Sequence, residues 1–324
     1  MRPWLKRWGW PIFKGVLALA ILAGVAWQFA RDLRRTELNT LEFRWPWLAL
    51  SAVTYVTALG FSALFWFRLL RIFGQHPTAL PILRAYYIGQ LGKYVPGKAW
   101  ALLLRGGLVH GPQVHFGAAV LTAFYEVLTT MATGALVAAI VFVFQPPPTE
   151  GLEWHPLYTG LLLLGLLGLP LLPGVFNLLT ARLARRFPMI DSLQTPKMTM
   201  KVLAEGVLTT ALGWGLFGVS LWTALAAVLP EVPDLTLDLW LQLVGSIGLS
   251  YVAGFLVLVV PGGVGVREYF LSRLLAFVGP LALIDLAVLL MRLAWTTAEL
   301  LAAGGLQLLA MVAKTRADTK PGSA

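Results

Sequence analysis

Long apolar stretches alternate with short charged ones along almost the whole 324-residue chain. Apolar runs cover roughly 12–30, 47–70, 114–144, 156–180, 201–229 and 281–313. Each reaches the ~18–20 residues that a helix needs to cross a bilayer. Two further apolar stretches, 80–110 and 239–279, are interrupted by helix breakers. The first carries Gly89, Gly92, Pro96 and Gly97, and the second carries Pro261-Gly262-Gly263. Segment 31–46 is charged, yet Leu33, Leu38 and Leu41 fall near helical spacing, which predicts a short helix lying in the interface. The expected fold is an all-α polytopic membrane protein with about seven spanning helices and two re-entrant broken hairpins.

Composition agrees with that reading. Hydrophobic residues make up 58% and charged residues 12%, with a mean hydropathy of +0.76; a soluble domain carries about 25% charge. Residues 1–324 therefore read as one transmembrane domain, with a short polar cytoplasmic tail at 314–324. The first run follows a basic start but ends in "AWQFARD", a poor small-residue cleavage site, so it reads as a retained span and not as a secretory signal. There is no cysteine, which removes disulfides, thiolate metal sites and thiol nucleophiles. The net charge of +10 would suit nucleic acid in a soluble protein. In a membrane protein it reflects basic loops beside an anionic inner leaflet, and no nucleic-acid partner is expected.

Lys and Arg in short loops mark the cytoplasmic side. They gather at the N-terminus (Arg2, Lys6, Arg7, Lys14), around 181–201 (Arg182, Arg185, Arg186, Lys197, Lys201) and in the tail (Lys314, Arg316, Lys320). Segments 145–155 and 230–238 carry acids and no Lys or Arg. Both termini are thus expected in the cytoplasm, with the chain in a bacterial cytoplasmic (inner) membrane. Segment 31–46 dissents, since it must lie outside and holds four arginines against three acids. Counting crossings then requires 80–110 to enter and return to the inner face, and 239–279 to do so at the outer face. Pro96 and Pro261, each within a "VPG" triplet, stand 165 residues apart, about half the chain. The expectation is an inverted repeat with halves 1–145 and 156–313, as in secondary transporters whose broken helices build a midplane site.

Irregular backbone at membrane depth survives only when it is buried in protein or lines a polar cavity. Pro261 ends the incoming helix, while Gly262, Gly263 and Gly265 free the backbone. The helix from Val264 onward would present its first N–H groups to an anion, with phosphate the natural occupant. The first hairpin repeats the device through Pro96, Gly97 and Lys98, with Lys93 one turn before the break. Lys93, Lys98, Arg105 and Arg267 together suit an anionic lipid head group. The plainer accounts are a kinked span, and Lys93 and Arg105 snorkelling to the interface. Glu126, Glu268, Arg292 and Glu299 are further charges in apolar runs, read as ion-pair or proton-coupling residues. The expected crossed pairing is Glu268 with Arg292 and Arg267 with Glu299 or Glu126; a purely structural network is the alternative. Glu205 and Asp285 are expected at the interface.

Two segments, "GQLGKYVPGKAWALLLRGG" and "VVPGGVGVREYFL", resemble the signature segments of the lysylphosphatidylglycerol synthase transmembrane (flippase-like) family. The similarity extends to "YEVL" at 125–128 and to "MRLAWTTAELLAAGG" through Arg292 and Glu299. The chain departs from the common first motif, which has a second glycine and an acid where Ala99 and Trp100 stand here. It looks like a stand-alone member without the soluble aminoacyl-transferase domain. The resemblance implies a lipid flippase or a transport-associated protein, with no particular cargo inherited.

The expected function is translocation of an anionic lipid, or of a polyprenyl-phosphate-linked lipid, between leaflets. No cofactor and no metal are expected: the four histidines fall in loops or at span ends, and no His-Glu-x-x-His or Gly-x-Ser-x-Gly motif occurs. No nucleotide-binding loop is present, so movement would be passive or ion-coupled. The alternatives are a membrane-embedded lipid-modifying enzyme, or a scaffold for neighbouring lipid or glycan biosynthesis enzymes. The expected partners are membrane lipids.

Overall fold

The computed structural model describes residues 43–94, 99–147, 154–186, 197–257, Gly263 and 265–318. Regular structure in these residues is helical: α1 (Trp45–Ile72), α2 (Ala79–Leu91), α3 (Ala99–Val109), α4 (Phe116–Phe144), α5 (Pro156–Gly168), α6 (Pro173–Arg186), α7 (Met200–Ala226), α8 (Leu237–Leu256), α9 (Val266–Leu274) and α10 (Leu281–Asp318). Among them α1, α4, α7, α8 and the Leu281–Ala313 part of α10 are long and apolar enough to cross a bilayer. The bent pair α5–α6 would make a sixth. The described residues are those of an all-helical integral membrane protein. The run at 12–30, and most of the interfacial segment 31–46, lie outside the described residues.

Local chemistry sets the helix starts. Pro46 opens α1, where its missing N–H costs nothing. Arg44 ties that start to the end of α7: its N–H bonds the Ala227 carbonyl at 3.0 Å, and its guanidinium donates to the Leu229 carbonyl. The hydroxyls of Thr199 and Thr236 cap α7 and α8 by accepting from the N–H groups of Val202 and Leu239.

Between membrane helices the driving terms are close packing and interhelical hydrogen bonds. The pairing of α1 with α7 uses both. Gly206 lies under the Phe65 ring, Gly213 faces the Ala58 carbonyl, and Ser51 and Ser220 exchange hydroxyl-to-carbonyl bonds of 2.8 and 2.7 Å. Helix α4 sits at the centre, packed by α1, α3, α5, α7 and α8. Its Gly134 receives the Trp214 ring and meets Gly248 of α8.

Two features add detail to the expected segments. The run 156–180 is not one straight span: α5 and α6 meet at 58° beside Leu172, because Pro170 and Pro173 remove donors from consecutive turns. The broken segment 239–279 has unequal arms. Helix α8 has 20 residues and rises about 30 Å, while α9 has nine and rises only about 14 Å. The breaker at Pro261 falls late in the segment, so the first arm alone reaches span length. By contrast, α2 and α3 are of similar length and fold against one another, with Gly92 pressed on the backbone of Ala101.

Candidate functional site

The ends of both broken segments reach α10. A 3-10 turn at Gly92–Tyr94 continues α2 and places Lys93 and Tyr94 beside Glu299. The Lys93 ammonium pairs with the Glu299 carboxylate and lies 3.3 Å from the Tyr55 hydroxyl. Tyr55 also donates to Glu299. The Tyr94 hydroxyl donates to the other Glu299 oxygen at 3.0 Å and lies 3.0 Å from the Thr296 hydroxyl. Glu299 is fully buried, while the Lys93 side chain keeps 23% of its surface exposed.

The Tyr55 ring stacks on Trp295 at 4.1 Å, and Phe217 and Tyr251 complete an aromatic cluster around them. Arg267, at the start of α9, lies against the same cluster, with its guanidinium 4.1 Å from the Tyr251 ring centre and 5.9 Å from that of Trp295. Its nearest carboxylate is Glu268 at 3.4 Å. Glu268 in turn pairs with Arg292 and accepts the Gly265 N–H at 2.6 Å. Among the described residues three cations (Lys93, Arg267, Arg292) thus face two carboxylates (Glu268, Glu299), a surplus of one positive charge.

A second buried network lies within the first half. Arg105 of α3, 2% exposed, bonds Glu126 of α4 at 2.6 Å and stacks on Tyr86 at 4.1 Å. Glu126 also accepts from Thr130 at 3.0 Å.

Several site expectations change in this light. The pairing of Glu268 with Arg292 is present. Arg267 does not pair with Glu299 or Glu126; those acids take two cations of the first broken segment, Lys93 from the turn after α2 and Arg105 from α3. Arg105 is neither snorkelling nor beside Lys93, but closed inside the α3–α4 contact. At the start of α9 the Glu268 carboxylate folds back and accepts the N–H of the N-cap residue, Gly265. Gly263 packs on α8 and not on open space: a Cβ there would stand 2.6 Å from the Gly254 carbonyl oxygen. Asp285 is buried rather than interfacial, whereas Glu205 is partly exposed and pairs with Arg68. Pro96, Gly97, Lys98, Pro261 and Gly262 lie outside the described residues.

Sequence reasoning did not single out Tyr55, Tyr94, Tyr251, Trp295 or Thr296, since aromatic residues in apolar runs read as core. One signal was available. Tyr prefers the membrane–water interface, yet Tyr55 and Tyr251 each stand deep within long apolar helices, where a hydroxyl needs a partner. No family model, no curated protein and no solved structure matches the chain.

Proposed function

We propose that the protein translocates an anionic lipid, or a polyprenyl-phosphate-linked lipid, between leaflets as a relative of the flippase-like family that its two signature segments resemble. The observation that carries this reading is the surplus positive charge where two broken apolar segments meet on α10. Charge within a membrane protein is costly and marks pathways or ligands. A phosphodiester between Lys93 and Arg267 would neutralise the surplus, with the aromatic cluster beside it. No enzymatic step is assigned.

The inverted repeat belongs to the same reading, with two re-entrant hairpins entering from opposite faces. One correspondence supports it: in each broken segment an arginine of the second arm stacks on a tyrosine of the first at 4.1 Å, Arg105 on Tyr86 and Arg267 on Tyr251. Tyr86 and Tyr251 are 165 residues apart, the spacing of Pro96 and Pro261. Each second arm is also tied to the helix after it by an ion pair, Arg105–Glu126 and Glu268–Arg292 with signs exchanged.

Topology is tested by single cysteines, which meet no background in a chain without cysteine. Leu235→Cys should label in intact cells and Lys197→Cys only after permeabilisation. Outside labelling at 197 overturns the orientation and the inverted repeat with it.

Transport is tested with fluorescent phosphatidylglycerol in proteoliposomes, read by the loss of inner-leaflet label to an impermeant quencher added outside. The protein should accelerate exchange over empty vesicles. Arg267→Gln should slow it about tenfold or more, the loss of one charge-assisted contact of roughly 1.5–3 kcal/mol. Its fold should persist, because Glu268 keeps Arg292. Exchange no faster than in empty vesicles overturns the proposal.

A further inference from the structure

We infer that the bend between α5 and α6 holds a resident anionic phospholipid, with an acyl chain in an apolar groove and its phosphate at Lys197 and Lys201. This rests on the membrane setting alone and shares no residue with the site on α10. The groove, about 330 Å³, opens where α5 ends and the chain turns by 58° into α6. Ala132 and Leu136 of α4, Leu164 and Gly165 of α5, and Leu203 and Val207 of α7 form its walls. That volume lies at the lower end of small-ligand pockets, ~300–1,000 Å³.

The walls suit a hydrocarbon chain. A Cβ on Gly165 would meet nothing within 4 Å, whereas one on Gly160 of the same helix would stand 3.6 Å from the Ala139 backbone of α4. Gly160 therefore brings α5 onto α4, while Gly165 leaves space between them. A glycine inside a helix weakens it relative to alanine, and helix packing asks for none at Gly165. Thr133 also lines the groove, yet its hydroxyl donates to the Thr129 carbonyl at 2.8 Å and lies 2.9 Å from the Thr210 hydroxyl. A groove whose polar group is already satisfied offers water or a head group too few partners.

Charge at one end of the groove selects the head group. The Asn177 amide ties α6 to the start of α7, donating to the Met198 carbonyl at 3.0 Å and accepting the Met198 N–H at 2.8 Å. Lys197 and Lys201 stand exposed on either side of that tie. Leu203 and Val207 of the groove follow Lys201 by roughly 3 and 9 Å of helix rise, so a chain hanging from a phosphate at the lysines would run beside them. On α6 the exposed Val175, Leu178 and Leu179 share a face with Arg182, a further exposed cation. Glu205, one turn past Lys201, is engaged by Arg68. A second copy of this chain, docked symmetrically, would bring the same cations to the same end; an anionic lipid complements them.

The test is native mass spectrometry of the purified full chain, titrated with palmitoyl-oleoyl phosphatidylglycerol or with phosphatidylcholine of the same chains. Arg267→Gln is the background throughout, so that binding at the transport site does not mask this one. One phosphatidylglycerol should bind about tenfold or more tighter than phosphatidylcholine, the effect of two lysines beside an anionic head group. Lys197→Gln/Lys201→Gln should erase that preference and leave phosphatidylcholine binding unchanged. Gly165→Leu fills the groove and should weaken both lipids about tenfold, through lost burial of chain methylenes. Gly165→Ala adds one methyl to open space and should weaken both by less, which keeps the test alive if the Leu variant does not fold. Gly304→Leu, also in open space but on α10, should bind as the parent does. Equal affinity for the two lipids, or no retained lipid, overturns the resident anionic phospholipid. Undiminished binding by both Gly165 variants overturns the groove. A dimer that Gly165→Leu dissociates would give the groove to a second copy and overturn the inference as well.

Discussion

Glu268→Gln should lower the stability of the purified protein by about 3–5 kcal/mol, the usual cost of removing one partner from a buried ion pair. Three donors converge on this carboxylate: the guanidinium groups of Arg292 and Arg267, and the N–H of Gly265. Gln keeps the shape and can still accept the Gly265 N–H, so the loss isolates charge. Two arginines then lie in a poorly solvated cluster with no carboxylate between them. Adding Arg292→Gln removes one stranded cation and should restore a large part of the loss, as coupled sites do in a double-mutant cycle. Thermal unfolding of the four proteins in one detergent measures it. Strictly additive losses would show that the pair is not coupled. The contact between Arg68 and Glu205 offers an internal contrast. Both side chains are substantially exposed, so Glu205→Gln should change stability by no more than about 1 kcal/mol.

Gly263→Leu should abolish transport and drive residue 263 away from α8. Its φ of +64° is a left-handed conformation, which costs a residue with a Cβ about 1–2 kcal/mol. The larger cost is steric. The new Cβ would stand 2.6 Å from the Gly254 oxygen and 2.9 Å from its carbonyl carbon, both backbone atoms that cannot rotate away. A Cβ on Gly254 would stand 3.0 Å from the Arg267 Cβ, so α8 lies close against Arg267 there and a shift of α8 displaces the central arginine. Gly263→Ala carries the same strain and the same first contact, and should already lose most activity. Gly107 makes a control on the first hairpin, because a Cβ there meets nothing within 4 Å; Gly107→Ala should behave as wild type. Wild-type transport by Gly263→Ala would show that the contact between the two arms is dispensable.

The helical architecture could be read from the sequence because long apolar runs have few other destinies, and Met200–Ala226 and Phe116–Phe144 fall within a few residues of the expected limits. The bend at Leu172 was written in Pro170 and Pro173 but hidden by the leucines around them, since hydropathy sums ignore donors. The pairing of Glu268 with Arg292 followed from scarcity, as few charges lay in apolar runs and each needed a partner. The pairing of Glu299 did not, because the choice between Lys93 and Arg267 depends on how far each tip reaches, and sequence carries no such distance. Glu268 curling back onto Gly265 was likewise invisible: a carboxylate three residues into a helix can cap it or point outward, and packing decides which. The aromatic cluster is a purely tertiary product, drawing Tyr55, Phe217, Tyr251 and Trp295 from four helices.

The length of α10 has a mechanical meaning. Its 38 residues rise about 57 Å, well beyond the ~30 Å of a hydrocarbon core. Glu299 lies midway along it, at the level where Lys93 of the first broken segment meets the helix. From Glu299 to Asp318 the arm is about 28 Å, and a tilt of about 10° at that level would swing its end by about 5 Å. A change of tilt at the level of Glu299 would therefore be read most easily at the far end of the helix.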